Sequence, residues 1–138
     1  MIYISVDNDF HTEIALNYIN SFKVDKKDIT FISNKSNRNS AVYSLGFPVI
    51  EIPAHPFSIG SGFKNLLTYI RTVKQHFFLK KMFNFKPDDI LLILTEYQIN
   101  NAFLAKIMKK RGGQIFLLDE GIGFYLNNHY FHKKKNYD

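Results

Sequence analysis

Two adjacent acids, Asp119 and Glu120, follow the apolar run Gln114 to Leu118 and precede Gly121-Ile122-Gly123. A carboxylate held at the end of a strand can act as a general base if it reaches the proton it removes and its pKa suits the task. The Gly-x-Gly that follows allows a tight backbone turn. The same acids have a plainer use, capping the next helix or turn. A second polar cluster, Asp7-Asn8-Asp9 with His11, follows the first apolar run. It has the groups to bind a metal ion or an acceptor hydroxyl, and equally the groups to start a helix. Glu96 and Tyr97 follow a third apolar run, where Glu96 either lines a cleft or caps a helix. His76 falls mid-helix and reads as structural. His129 and His132, three apart, offer weak metal affinity at most. The chain has no cysteine, which excludes disulfides, thiolate zinc sites and thiol nucleophiles. No metal is expected.

The elements that must position these groups follow from periodicity. Met1 to Val6 is apolar and β-branched, a buried strand ending at Asp7. Ile14, Ala15, Tyr18, Ile19 and Phe22 share one helical face, so 11–22 is a helix, with Asp9 or Thr12 as its cap. Asp28 to Ser33 and Pro48 to Ile52 are further strands, with a polar loop from Asn34 to Ser40 between them. A Pro- and Gly-containing loop, Ala54 to Gly62, leads into a long helix, Phe63 to Phe83. Its apolar stripe is Phe63, Leu66, Leu67, Ile70, Val73 and Phe77, with Lys64, Arg71, Lys74, Lys80 and Lys81 as its basic side. Ile90 to Leu94 reads as a strand buried on both faces, the mark of a parallel sheet. A helix over 97–111 buries Leu104, Ile107 and Met108 and closes at Gly112-Gly113. Gln114 to Leu118 is the last strand. Strands alternating with helices predict an α/β, Rossmann-like, doubly wound fold. The expected sheet is five-stranded and mostly parallel, with helices on both faces. The domain is placed at 1–126, and 127–138 reads as a basic tail or a continuation cut short. In such a sheet ligands bind beyond the carboxyl ends of the strands, and all the clusters above lie there.

Leu117-Leu118-Asp119-Glu120-Gly121-Ile122-Gly123-Phe124-Tyr125 resembles the acid-acid-Gly motif of bacterial sialyltransferases and polysialyltransferases. Those enzymes have two Rossmann-like domains, the GT-B arrangement, and the motif lies late in the acceptor-side, N-terminal domain. The strand order here is similar to that domain. The resemblance implies inverting transfer of sialic acid from CMP-sialic acid to a hydroxyl of a glycan acceptor, as in capsule or lipooligosaccharide synthesis. It makes Asp119 the general base and matches Glu120 and Gly121 to the next two motif positions. Asn8, His11 and Glu96 then border the acceptor cleft, with Gly123 in the motif's turn. No cofactor is implied beyond the donor substrate. The family's His-Pro motif, which grips the donor phosphate, lies after the acidic motif in its second domain. His55-Pro56 stands before it, in the wrong half, and the role is not carried across. The nucleotide-sugar donor would bind through a second domain that these residues do not include, so the resemblance leaves open whether the chain alone is an enzyme.

Lys and Arg total 18 against 12 acids, for a net charge of +6. That surplus favours anionic partners, here a glycan polyanion or an anionic membrane surface. No nucleic-acid motif accompanies it, so nucleic acid is not expected. The N-terminus lacks the basic segment of a signal peptide, and no apolar run reaches the length of a membrane helix. The expected location is the cytoplasm, including the inner membrane face. Two non-enzymatic alternatives are a non-catalytic anion-binding domain and a receiver-like signalling domain, the second suggested by Asp7 and Asp9 after the first strand.

Overall fold

The alternation of short strands with helices along the chain decides the architecture. The computed structural model of the chain describes residues 1–22, 24–34, 40–54, 63–95 and 98–118. Strands β1 (Ile2–Val6), β2 (Ile29–Asn34), β3 (Val49–Ile52), β4 (Ile90–Ile93) and β5 (Gln114–Leu117) form one sheet of order β3-β2-β1-β4-β5. Every pairing is parallel. Ile4 lies opposite Phe31 on one side and Leu92 on the other, which fixes the register at the centre. This is the doubly wound α/β arrangement that the alternating elements predict.

Successive side chains of a strand point to opposite faces, so β1 supplies two cores. Ile4 and Val6 pack with Ile29, Phe31 and Leu92 under Ala15 and Ile19 of helix α1 (Asp9–Phe22). Val42, from the short helix α2 (Ser40–Ser44), completes that core. On the other face Ile32, Ile52, Leu91 and Ile93 pack under helices α3 (Phe63–Met82) and α4 (Ile99–Lys110). Leu79 from α3 and Leu104, Ile107 and Met108 from α4 are buried there. Tyr3 extends this core, with its ring 4.8 Å from that of Phe85. Each side chain buried this way contributes about 1.5–3 kcal/mol.

Several local expectations change. Helix α1 begins two residues earlier than expected and is capped by Asn8, whose Oδ1 accepts the His11 N–H at 2.8 Å. Neither Asp9 nor Thr12 is the cap, because the chain turns one residue before Asp9. Helix α2 was not expected: five residues among polar neighbours leave no readable period. Asn34 belongs to β2, paired with Ile52 of β3, not to the loop after it. Helix α4 starts at Ile99, two residues later than expected. It ends as foreseen: Gly112 has φ +81°, its N–H reaches Lys109 O, and Gly113 N–H reaches Met108 O. That pair of bonds is the Schellman closure.

Helix α3 carries its apolar stripe toward solvent: Leu66 is 52% exposed, Ile70 41% and Phe77 63%, while Leu79 is fully buried. The helix is turned so that Thr68, Thr72, Gln75 and His76 accompany Leu79 on the sheet side. Periodicity located the apolar stripe but not the direction it faces. Side chains of 63–65 are not described, and the expected tail 127–138 lies outside the described residues.

Candidate functional site

Parallel strands bring all their carboxyl ends to one rim, and the sheet order reverses between β1 and β4. The crevice at such a reversal is where open α/β sheets bind ligands. Asp7 leaves β1 there and is buried. Thr95 follows β4 and is half-buried. Carboxamide side chains from β2, α3 and α4 converge on this rim.

Asn34 is the hub of that cluster. Its Nδ2 donates to Asp7 Oδ1 and, at 3.0 Å, to Gln98 Oε1. Its Oδ1 accepts from Asn100 Nδ2 at 2.9 Å. Asn100 Nδ2 also reaches Pro53 O at 3.1 Å, beyond the end of β3. Gln75 Nε2, from α3, donates to Pro53 O at 2.8 Å and to Asn100 Oδ1 at 3.3 Å. A second link spans the switch point: Ser5 Oγ donates to Asn101 Oδ1 at 2.6 Å, and Asn101 Nδ2 donates to Thr95 O at 2.7 Å. Asn34, Asn100 and Asn101 are all buried. Buried carboxamides hold only when both ends are satisfied, and here they satisfy one another. The network ties the ends of β1, β2, β3 and β4 to the starts of α4 and the middle of α3.

His11 sits under the first turn of α1, buried against Asp7. Its Nδ1 lies 3.3 Å from the Asp7 backbone nitrogen and 3.8 Å from Asp7 Oδ2. The Asp7 backbone N–H donates to that nitrogen, which ties the start of α1 to the end of β1. Asn8 is exposed at the rim, with its carbonyl engaged by the helix start. Ser33 Oγ, buried on β2, has no hydrogen-bond partner among the described residues. His76 is held near Phe103, ring centroids 4.7 Å apart. Burial lowers its pKa, helped by the charges of Lys106, Lys110 and Lys80.

The structure therefore brings Asp7, His11, Asn34 and Thr95 together at one rim. Asp119, Glu120, Gly121, Gly123, Glu96, His55 and Pro56 lie outside the described residues. The last described residue, Leu118, donates its N–H to Ile93 O at 2.8 Å. The hydrogen bonding thus continues one residue past β5, at the same rim. Sequence reasoning missed Gln75, Gln98, Asn100 and Asn101. The available signal was the pair Asn100-Asn101 in the first turn of an otherwise apolar helix face. Among the described residues no three His, Asp or Glu side chains come together as metal ligands. The carboxamides bond one another around the Asp7 carboxylate, so the network holds the strand ends in place. Comparison with family models, curated proteins and solved structures finds no match to this chain.

Proposed function

We propose that the chain is the acceptor-side domain of a sialyltransferase-like glycosyltransferase of the GT-B arrangement. In this reading Asp119 takes the proton from a glycan hydroxyl as that oxygen bonds to the anomeric carbon of sialic acid. The bond from that carbon to the CMP phosphate breaks, CMP leaves, and the configuration inverts. The observation that carries the reading is the Leu118 N–H bond to Ile93 O, because Asp119 is the next residue of the chain. The resemblance of 117–125 to the acid-acid-Gly motif supplies the chemistry, and the exposed Asn8 lies at the same rim. Asn8, His11 and Glu96 are its acceptor-side residues. Glu120, Gly121 and Gly123 shape the loop that presents the base. The donor enters through a separate donor-binding domain, and the protein works in the cytoplasm.

The receiver-like alternative would have the flavodoxin-like order, with the third strand beside the first. Here β3 lies at the edge, beyond β2. The reading is tested by supplying a CMP-binding domain, fused or mixed, and measuring sialyl transfer to a glycan acceptor. Asp119→Asn keeps the shape and removes the basicity; Asp119→Ala removes both. Loss of a general base costs about 10²–10⁴-fold in rate, and both variants are expected in that range. Full activity in both eliminates Asp119 as the base.

A further inference from the structure

The long helices on the two faces of the sheet differ in charge. Helix α1 has Asp9 and Glu13 and no Lys or Arg. Helices α3 and α4, which cover the other face, have five and three basic residues and no acid. On α3 the outward side is also apolar. Leu66, Ile70 and Phe77 fall with Lys74 and Lys81 within about 80° of the helix circumference, opposite Leu79. Tyr69 flanks them, 67% exposed. A contiguous apolar stripe directed to solvent marks a surface that meets something else.

Charge selects the occupant. A second copy packed by a twofold axis would set bases against bases. The stretch 119–138 has three acids, Asp119, Glu120 and Asp138, against Lys133, Lys134 and Lys135, so it offers no net complement. An anionic bilayer complements both features: apolar side chains enter the boundary between headgroups and acyl chains, and lysines reach lipid phosphates. We infer that the outward face of α3, through Leu66, Ile70 and Phe77 ringed by Lys74 and Lys81, docks the protein flat on an anionic phospholipid bilayer. The inference goes beyond the transfer reading and does not depend on it. The rim with Asp7 and Asn34 lies at the strand ends, while the docking face lies along a sheet face.

The chain has no tryptophan, so Phe77→Trp introduces a single reporter. With vesicles of phosphatidylcholine containing a minority of phosphatidylglycerol, its emission should shift to the blue and be quenched by brominated acyl chains. Each lysine near such a surface contributes about 1 kcal/mol, so Lys74→Gln with Lys81→Gln should lower partitioning about 30-fold. Added salt should lower it too. Asp119→Asn should bind as the parent does, which separates this result from the fate of the catalytic reading. Equal partitioning onto pure phosphatidylcholine, or no effect of the double lysine change, overturns the inference. So does a blue-shifted emission before vesicles are added with a dimer mass in sedimentation, which would make the face a protein interface.

Discussion

Asn34→Ala removes the hub of the carboxamide cluster, and its cost can be worked from the bonds lost. Two are to neutral amides, Gln98 at 3.0 Å and Asn100 at 2.9 Å, worth about 1 kcal/mol each. The third is to the buried Asp7 carboxylate, and bonds to charged groups are worth about 2 kcal/mol. Water entering the space left behind recovers part of the total, so the expected loss is about 2–4 kcal/mol. With a urea slope of about 2 kcal/mol per molar, the unfolding midpoint falls by about 1–2 M. Asn34→Asp gives a sharper test. It sets a second carboxylate against Asp7, and like charges in one buried site raise a carboxyl pKa. The folded state then keeps a proton that the unfolded chain has lost above about pH 3.9. Stability of the Asp variant is therefore lowest at neutral pH. It rises as pH falls through the raised folded-state pKa, while the Ala variant shows no such slope relative to the parent. Urea titrations from pH 7 downward read both effects. A midpoint shift for Asn34→Ala of less than about 0.3 M, or an Asp variant without the acid-side recovery, refutes the idea that this network holds the strand ends.

Two further outcomes follow from the helix packing. Burial and then Lys106, Lys110 and Lys80 depress the His76 pKa in the folded protein. Its contribution is fully present above the unfolded value of about 6.5 and is lost as pH drops below it. His76→Gln should therefore lose less stability than the parent between about pH 7.5 and 5.5 by urea titration, and equal losses would remove His76 as the cause. On α3, Leu79→Ala should cost about 2–5 kcal/mol, whereas Phe77→Ala should stay within about 0.5 kcal/mol. Comparable thermal shifts for the two would show that the helix is turned the other way.

The legible parts of the fold are those in which neighbouring residues carry the signal. Ile90 to Ile93 is apolar at every position, and such a run has few places to go except the centre of a parallel sheet. Leu104, Ile107 and Met108 recur at helical spacing and are buried as expected. The candidate rim was legible as a place, because strand ends mark it, and Asp7 was found that way. Its construction was not legible. Asn34 and Asn100 are 66 residues apart in the chain, and each alone is indistinguishable from a loop or cap residue. Helix α3 shows a different limit. An apolar stripe is ordinarily buried by its own domain, and only the tertiary structure shows that Thr72, Gln75 and Leu79 took the inward side.

The position of β1 at the centre of the sheet has a consequence for synthesis. Of the five strands of this sheet it leaves the ribosome first, and one of its edges finds β2 early, Ile2 beside Ile29. Its other edge waits for Ile90. At about 5–20 residues per second, that is roughly 5–20 s during which an apolar strand edge stands open in the growing chain. Open edges recruit other chains. Yield of native protein should therefore depend on translation speed and on factors that shield nascent chains, and slow codons between β2 and β4 should lower it.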